Sequence, residues 1–125
     1  MKRGIGIDSG SLFFPGARLI RTSIAPDGIP QASATNLRAY PEDTTGYFRL
    51  HSFHEVEIAR RIESFGNVAH VLSTNEARHE PAAVKPFKRG INSIQLFNDG
   101  RRWWVISVPR DNEREDCPIP AEYLP

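Results

Sequence analysis

The sequence predicts an α+β domain built on one curved antiparallel sheet, with few helices. Three observations carry this. First, Asn98-Asp99-Gly100-Arg101 separates two apolar-rich runs between Phe87 and Val108, and Asp-Gly is a favoured two-residue hairpin loop. Second, Phe65-Gly66-Asn67 separates two alternating runs, His54 to Ser64 and Val68 to His79. Third, the one loosely helical stretch, Ala34 to Leu50, is interrupted by Pro41 and Gly46, so any helix there is short or broken. At least four strands and one short helix give an α+β architecture.

Each hairpin fixes a register. Closing the downstream loop with Asn98 opposite Arg101 sets Leu96 against Trp103, Ile94 against Val105 and Asn92 against Ser107. On its other face Phe97 meets Arg102, Gln95 meets Trp104, Ser93 meets Ile106 and Ile91 meets Val108. Both faces carry large apolar groups, so this pair is central to a sheet or lends one face to a partner. In the upstream hairpin a turn at Gly66-Asn67 pairs Ile62 with Val71, Arg60 with Ser73, Ile58 with Asn75 and Val56 with Ala77. The opposite face pairs Glu63 with His70, Arg61 with Leu72 and Glu55 with Arg78, as a solvated face prefers. Glu55-Val56-Glu57-Ile58 alternates with period two, which marks a strand. Ala17 to Ile24 is a further strand, closed by the turn Ala25-Pro26-Asp27-Gly28. In the helical stretch Thr35 or Asn36 is the candidate cap. His79 to Pro86, with Pro81 and Pro86, is a loop.

The 125 residues suffice for one domain with a core. Lys plus Arg is 16 and Asp plus Glu is 15, a net charge of +1. That balance argues against a dedicated nucleic-acid binder. Lys85, Lys88 and Arg89 lie about 27 Å along the hairpin from Arg101 and Arg102, so they form no single basic patch. Cys117 is the only cysteine, which excludes a disulfide framework or a thiolate metal cluster. No apolar run reaches the length of a membrane span, and no signal peptide is visible. A cytoplasmic location without membrane partners is the expectation. Residues 110–125 hold two basic and five acidic side chains with three prolines, and read as an extended tail docked through Ile119, Tyr123 and Leu124.

The run Phe87-Lys88-Arg89-Gly90-Ile91-Asn92-Ser93-Ile94-Gln95-Leu96, followed by Asp99-Gly100-Arg101-Arg102-Trp103-Trp104-Val105, resembles the end of a nuclear-transport-factor-2-like domain. It is most similar to the SnoaL-like, polyketide-cyclase-like members. Leu12-Phe13-Phe14-Pro15-Gly16-Ala17-Arg18-Leu19 resembles the junction into that family's first strand. The resemblance implies a cone: a strongly bent sheet around a cavity, closed by N-terminal helices. It implies homodimers through the outer face of the sheet. It divides the chain into a flexible terminus (1–11), the domain (12–113) and a tail (114–125). Only eleven residues precede Leu12, and they include Gly4, Gly6 and Gly10, so the expectation is that most of the helical lid is missing. The fold hosts many functions, so it assigns none by itself.

Within such a cone, Arg60, Ser73, Asn75, Asn92, Trp103 and Ser107 are the candidate ligand-binding residues. They share faces with Val56, Ile58, Ile62, Val71, Ile94 and Leu96, and an apolar pocket with a few polar groups suits a small molecule. Arg60 is placed to hold a carboxylate or enolate oxygen. Trp104, Ile106 and Val108 are the candidate dimer interface. The expected function is binding of a small apolar molecule, with lyase or isomerase activity left open. The alternative is a non-catalytic homodimerisation module. Isomerase chemistry needs a carboxylate base and an acidic hydrogen-bond donor. The resemblance puts these near Arg21 and Thr22 and near Asn92 and Ser93, and none of the four is acidic. No cofactor is expected. Of the four histidines, His51, His54, His70 and His79, the first two are three apart with Glu55 and Glu80 near, but histidines near a sheet edge are far more often surface residues than ligands, so no metal is expected.

Overall fold

The computed structural model describes residues 12–36 and 54–125, apart from the side chain of His54. Most of the predicted helix and the N-terminal segment 1–11 lie outside these residues. Six strands follow in chain order: β1 (Phe13–Ile24), β2 (Pro30–Asn36), β3 (His54–Phe65), β4 (Val68–Arg78), β5 (Lys88–Asn98) and β6 (Trp103–Asn112). Among the described residues there is no α-helix, and a 3-10 turn spans Ala121–Tyr123. One sheet contains all six strands, in the order β2-β1-β6-β5-β4-β3.

The expected antiparallel sheet is in fact mixed. β1 runs parallel to β6, and the other neighbours are antiparallel. β2 is a strand that the sequence reading lacks. Its residues Pro30 to Asn36 have little apolar alternation, and they are strand because β1 supplies a ladder. Thr35 and Asn36, the candidate caps, are the last residues of β2 and pair with Leu19 and Arg18. The β1–β2 turn is as predicted, with Gly28 at φ 87° donating to the Ala25 carbonyl at 2.8 Å.

Three register breaks shape the sheet. In β1, Phe13 pairs with Val105 but Arg18 pairs with Ser107. Pro15 and Gly16 occupy the slip, and Gly16 has φ 90°, which suits a glycine and a proline that cannot donate to a ladder. In β3 the predicted turn at Gly66-Asn67 is correct, and so are Ile62 with Val71, Arg60 with Ser73, Glu63 with His70 and Arg61 with Leu72. A bulge at Ile58 then replaces the predicted continuation. Glu57 pairs with Asn75 and Glu55 with Ala77, while Arg78 faces the His54 backbone.

The third break lies between β5 and β6. Asn98 faces Trp103, so the loop is four residues long and not two. Asp99 widens it: its Oδ1 accepts from the backbone N–H of Arg101 (2.8 Å) and Arg102 (3.1 Å), and its Oδ2 accepts from Trp104 Nε1 (2.8 Å). Leu96 faces Val105, but Gln95 faces Ser107, so Ile106 is the extra residue. Because side chains alternate, one inserted residue moves everything beyond it to the other face.

These breaks define two faces. The first carries Ile62, Arg60, Glu57 and Glu55 of β3 with Val71, Ser73, Asn75 and Ala77 of β4. It continues with Leu96, Ile94, Asn92 and Gly90 of β5, then Val105, Val108, Arg110 and Asn112 of β6. This is the Ser73 face. The second, the Thr74 face, carries Phe65, Val68, His70, Leu72, Phe97, Gln95, Trp104 and Ser107. Among the described residues the most buried side chains are Ala17, Ser73, Thr74, Asn75 and Ala77. Four of these five lie on β4 and three are polar, so the tightest part of the sheet is a polar one.

Beyond β6 the chain folds across the Thr74 face. Arg89 grips Glu113 through Nε (2.9 Å to Oε1) and Nη2 (3.1 Å to Oε2), and Glu113 Oε2 accepts from the Ile119 N–H at 2.9 Å. Thr74 Oγ1 donates to the Tyr123 carbonyl at 2.7 Å, and the Arg61 guanidinium lies 5.5 Å from the Tyr123 ring centre. The Arg89 bond, then the Ile119 N–H, hold the Glu113 carboxyl below the usual glutamate range. Its contribution to stability is therefore full above that range and is lost as pH falls through the lowered value. Glu113→Gln should cost about 1–2 kcal/mol at pH 7 and much less at pH 3 in urea unfolding, with faster proteolysis of the tail. Equal losses at both pH values would contradict the assignment.

Candidate functional site

The Ser73 face changes character along its length. At the turn end it is apolar. Leu96 and Val105 form one row, and Ile62, Val71, Ile94 and Val108 form the next, with Leu19 of β1 beside Val108. Two residues on, about 7 Å along the strands, it becomes polar. Arg60, Ser73, Asn92 and Arg110 share that row, and Arg21 adjoins Arg110. Glu57, Asn75, Gly90 and Asn112 follow, then Glu55. An open depression of about 490 Å³ lies on the opposite, Thr74 face, at its turn end, where Glu63, Phe65, Val68, His70, Gln95 and Ile106 are among its lining residues.

The polar rows form two bonded groups. In the first, Glu57 Oε2 accepts from Ser73 Oγ (2.5 Å) and from Arg60 Nε (3.0 Å), while Arg60 Nη2 lies 2.9 Å from Oε1. Asn75 Nδ2 donates to the Ser73 carbonyl (3.0 Å) and to Ser73 Oγ (3.2 Å). The Ser73 hydroxyl thus spends its proton on Glu57 and accepts from Asn75. The Arg60 and Ser73 bonds hold the Glu57 carboxyl below the usual range. In the second group, Arg110 donates from Nε to Asn112 Oδ1 (3.1 Å) and from Nη1 to Asn92 Oδ1 (3.2 Å). Its Nη2 lies 3.7 Å from Glu55 Oε2. Arg60 and Arg110 therefore each have a carboxylate of their own.

Four of the six predicted ligand-binding residues, Arg60, Ser73, Asn75 and Asn92, come together here. Trp103 shares the face but sits beside the turn, seven residues or about 24 Å from Arg110 along β6. Ser107 is moved by the Ile106 bulge to the Thr74 face, where its hydroxyl donates to Gln95 Oε1 at 2.6 Å. The same bulge separates the predicted interface residues. Trp104 stays on the Thr74 face, and Val108 turns to the Ser73 face. The sequence reading missed Glu55, Glu57, Arg110 and Asn112. One signal was available: Gly90, a glycine inside a strand pattern, marks a close backbone approach.

The histidines play local parts. His70 Nε2 is 2.7 Å from Ser93 Oγ, and His79 stacks on Phe87 with centroids 4.0 Å apart. His51 and the His54 side chain lie outside the described residues. Among the described residues, no helix is long and apolar enough to cross a membrane.

No protein-family model matches the chain, and no curated protein matches it in sequence. Solved structures do match. A nuclear-transport-factor-2-like protein of unknown function from Shewanella baltica OS155 superposes with a TM-score of 0.56 at 13% identity, covering 83% of this chain and 74% of that one. A provisionally assigned ketosteroid isomerase from Shewanella frigidimarina NCIMB 400 gives 0.55 at 13% identity, covering 81% and 76%. The chain has the nuclear-transport-factor-2-like fold.

The Glu57 environment is directly measurable. In Arg60→Ala the carboxyl loses its leading partner and keeps Ser73, so its titration midpoint, read by carboxyl-carbon NMR, should rise toward the ordinary glutamate range. An unmoved midpoint would show that Arg60 does not hold it.

Proposed function

We propose that this chain is a SnoaL-like domain whose Ser73 face lines a cone and binds a small, ring-like apolar molecule with a polar head group. The observation that carries this is the change along one face from Ile62, Val71, Ile94 and Leu96 to Arg60, Ser73, Asn75 and Asn92. Such a surface matches a ligand that is apolar over most of its length and polar at one end. The head group lies over the Arg60 and Asn92 row, and the ring lies over Ile62, Val71 and Ile94.

Binding is better supported than proton transfer. A general base near neutral pH needs a pKa close to that range. Glu57 is held on the acidic side by Arg60 and Ser73, and Glu55 faces Arg110. The isomerase assignment of the Shewanella frigidimarina protein belongs to that protein. Here Arg21, Thr22, Asn92 and Ser93 supply no acidic group where the resemblance would need one.

A second reading, homodimerisation through the Thr74 face, is favoured by a separate observation. Phe65, Val68, Phe97 and Trp104 form one cross-strand row, extended by Phe14, whose ring meets Phe97 and Trp104 edge-on at 5.5 and 5.7 Å. Phe65 is 86% exposed and Val68 52%. A contiguous exposed apolar row of this kind is a partner surface.

The two readings separate cleanly. A thermal-shift screen of ring carboxylates should give a stabilising compound whose effect is lost in Arg60→Ala and kept in Trp104→Glu. Light scattering should give a dimer that Trp104→Glu converts to a monomer. A screen with no shift at any concentration would remove the binding reading. An unchanged mass in Trp104→Glu would remove the interface.

A further inference from the structure

We infer that Arg110, seated on the bare backbone of Gly90, is a positioning residue that sets Asn92 and Asn112 as a pair of amide donors for a ligand oxygen. This rests on the binding reading above and adds the chemistry of the head group.

A carboxamide carries its acceptor and its donors on opposite sides of one plane, and the partner decides which way round it sits. A guanidinium has only donors. Arg110 Nη1 donates to Asn92 Oδ1 at 3.2 Å, and Nε donates to Asn112 Oδ1 at 3.1 Å. Both amide oxygens are therefore committed to Arg110. Both amide nitrogens are turned away from it, each with two N–H groups to give. The two asparagines flank one guanidinium on neighbouring strands, because Asn92 faces Arg110 and Gly90 faces Asn112.

Gly90 makes the seat. A Cβ there would stand 2.5 Å from Asn112 Oδ1, 2.7 Å from Arg110 Nη2 and 2.7 Å from the Asp111 carbonyl oxygen. The last is backbone and cannot swing aside. Any side chain at this buried position would lift the guanidinium off the strand and turn both amides. The conformation at Gly90 does not itself require glycine, since its φ is not positive; the requirement is space. Glu55, 3.7 Å from Nη2, balances the Arg110 charge, so Arg110 acts here by orientation more than as an anion anchor.

The head group is accordingly an oxygen that accepts two N–H bonds, a carboxylate or a ring-attached carbonyl. The test uses the full chain and three probes of similar shape: 2-naphthoate, 2-acetylnaphthalene and the acceptor-free 2-ethylnaphthalene. In the unmodified chain, one or both oxygen probes should shift the side-chain amide NMR signals of Asn92 and Asn112, and 2-ethylnaphthalene should leave them in place. Movement with naphthoate alone assigns a carboxylate head; movement with the ketone assigns a carbonyl. Arg110→Lys keeps the charge but loses the fork, and should weaken the active oxygen probe at least about tenfold while leaving 2-ethylnaphthalene unchanged. Gly90→Ala should behave alike if it folds. Oxygen probes that bind without moving either amide, or an Arg110→Lys variant that binds them as the unmodified chain does, would overturn the inference and leave the binding reading standing. Failure of all three probes to bind the unmodified chain would overturn both.

Discussion

Two inserted residues decide what this sheet can do. Ile58 in β3 and Ile106 in β6 each add one position that the neighbouring strand does not match. Without the first, Val56 and Ile58 would line the Ser73 face and Glu55 and Glu57 would turn away. Without the second, Ser107 would face Ile94, and Arg110 and Asn112 would lie on the opposite surface. Both bulges complete the polar end of the Ser73 face: Ile106 brings Arg110 and Asn112 onto it, and Ile58, just beyond the Arg60 row, brings Glu57 and Glu55. At the apolar end β3, β4 and β5 keep the simple alternation, while on β6 the Ile106 bulge lies between Val105 and Val108.

That arrangement has an energetic logic. Ser73 and Asn75 are among the most buried side chains described, at 5% and 9% exposed, and buried polar groups are costly unless bonded. They are bonded to each other, to backbone and to Glu57. Glu57 is shared with Arg60, and Arg110 is shared among Asn92, Asn112 and Glu55. Each charge meets its opposite nearby, so the network fixes geometry without imposing a strong field. A surface of this kind selects by shape and by hydrogen-bond pattern. The C-terminal tail is held by Glu113 and Thr74 on the other face and does not cross the Ser73 face.

How much of this was legible in the sequence follows from locality. The turns at Gly28, Gly66-Asn67 and Asp99-Gly100 were readable because glycine and Asx chemistry act within a few residues. The pairs nearest the β3–β4 turn followed from it. β2 was not readable, since Pro30 to Asn36 becomes strand through its pairing with β1. The parallel β1–β6 contact joins segments almost 90 residues apart and leaves no local trace. Bulges are the hardest case. Ile58 sits in an unbroken period-two run, and nothing in Glu55-Val56-Glu57-Ile58 shows that one residue will be skipped. Ser107 was therefore placed on the wrong face, and Arg110 and Asn112 were read as part of the tail. Arg60, Ser73 and Asn75 were grouped correctly because they lie at or near pairs that the turn controls. The site's polar rows were thus half visible, and the missing half lay beyond the bulges.

The central claim is that one face, apolar at one end and polar at the other, receives the ligand. Intermolecular NOEs from the ring protons of bound 2-naphthoate, or of 2-acetylnaphthalene if the ketone is the probe that binds, test it most directly. The account predicts contacts to the methyl groups of Ile62, Val71 and Ile94. Contacts instead to Val68 and Leu72, on the Thr74 face, would contradict it.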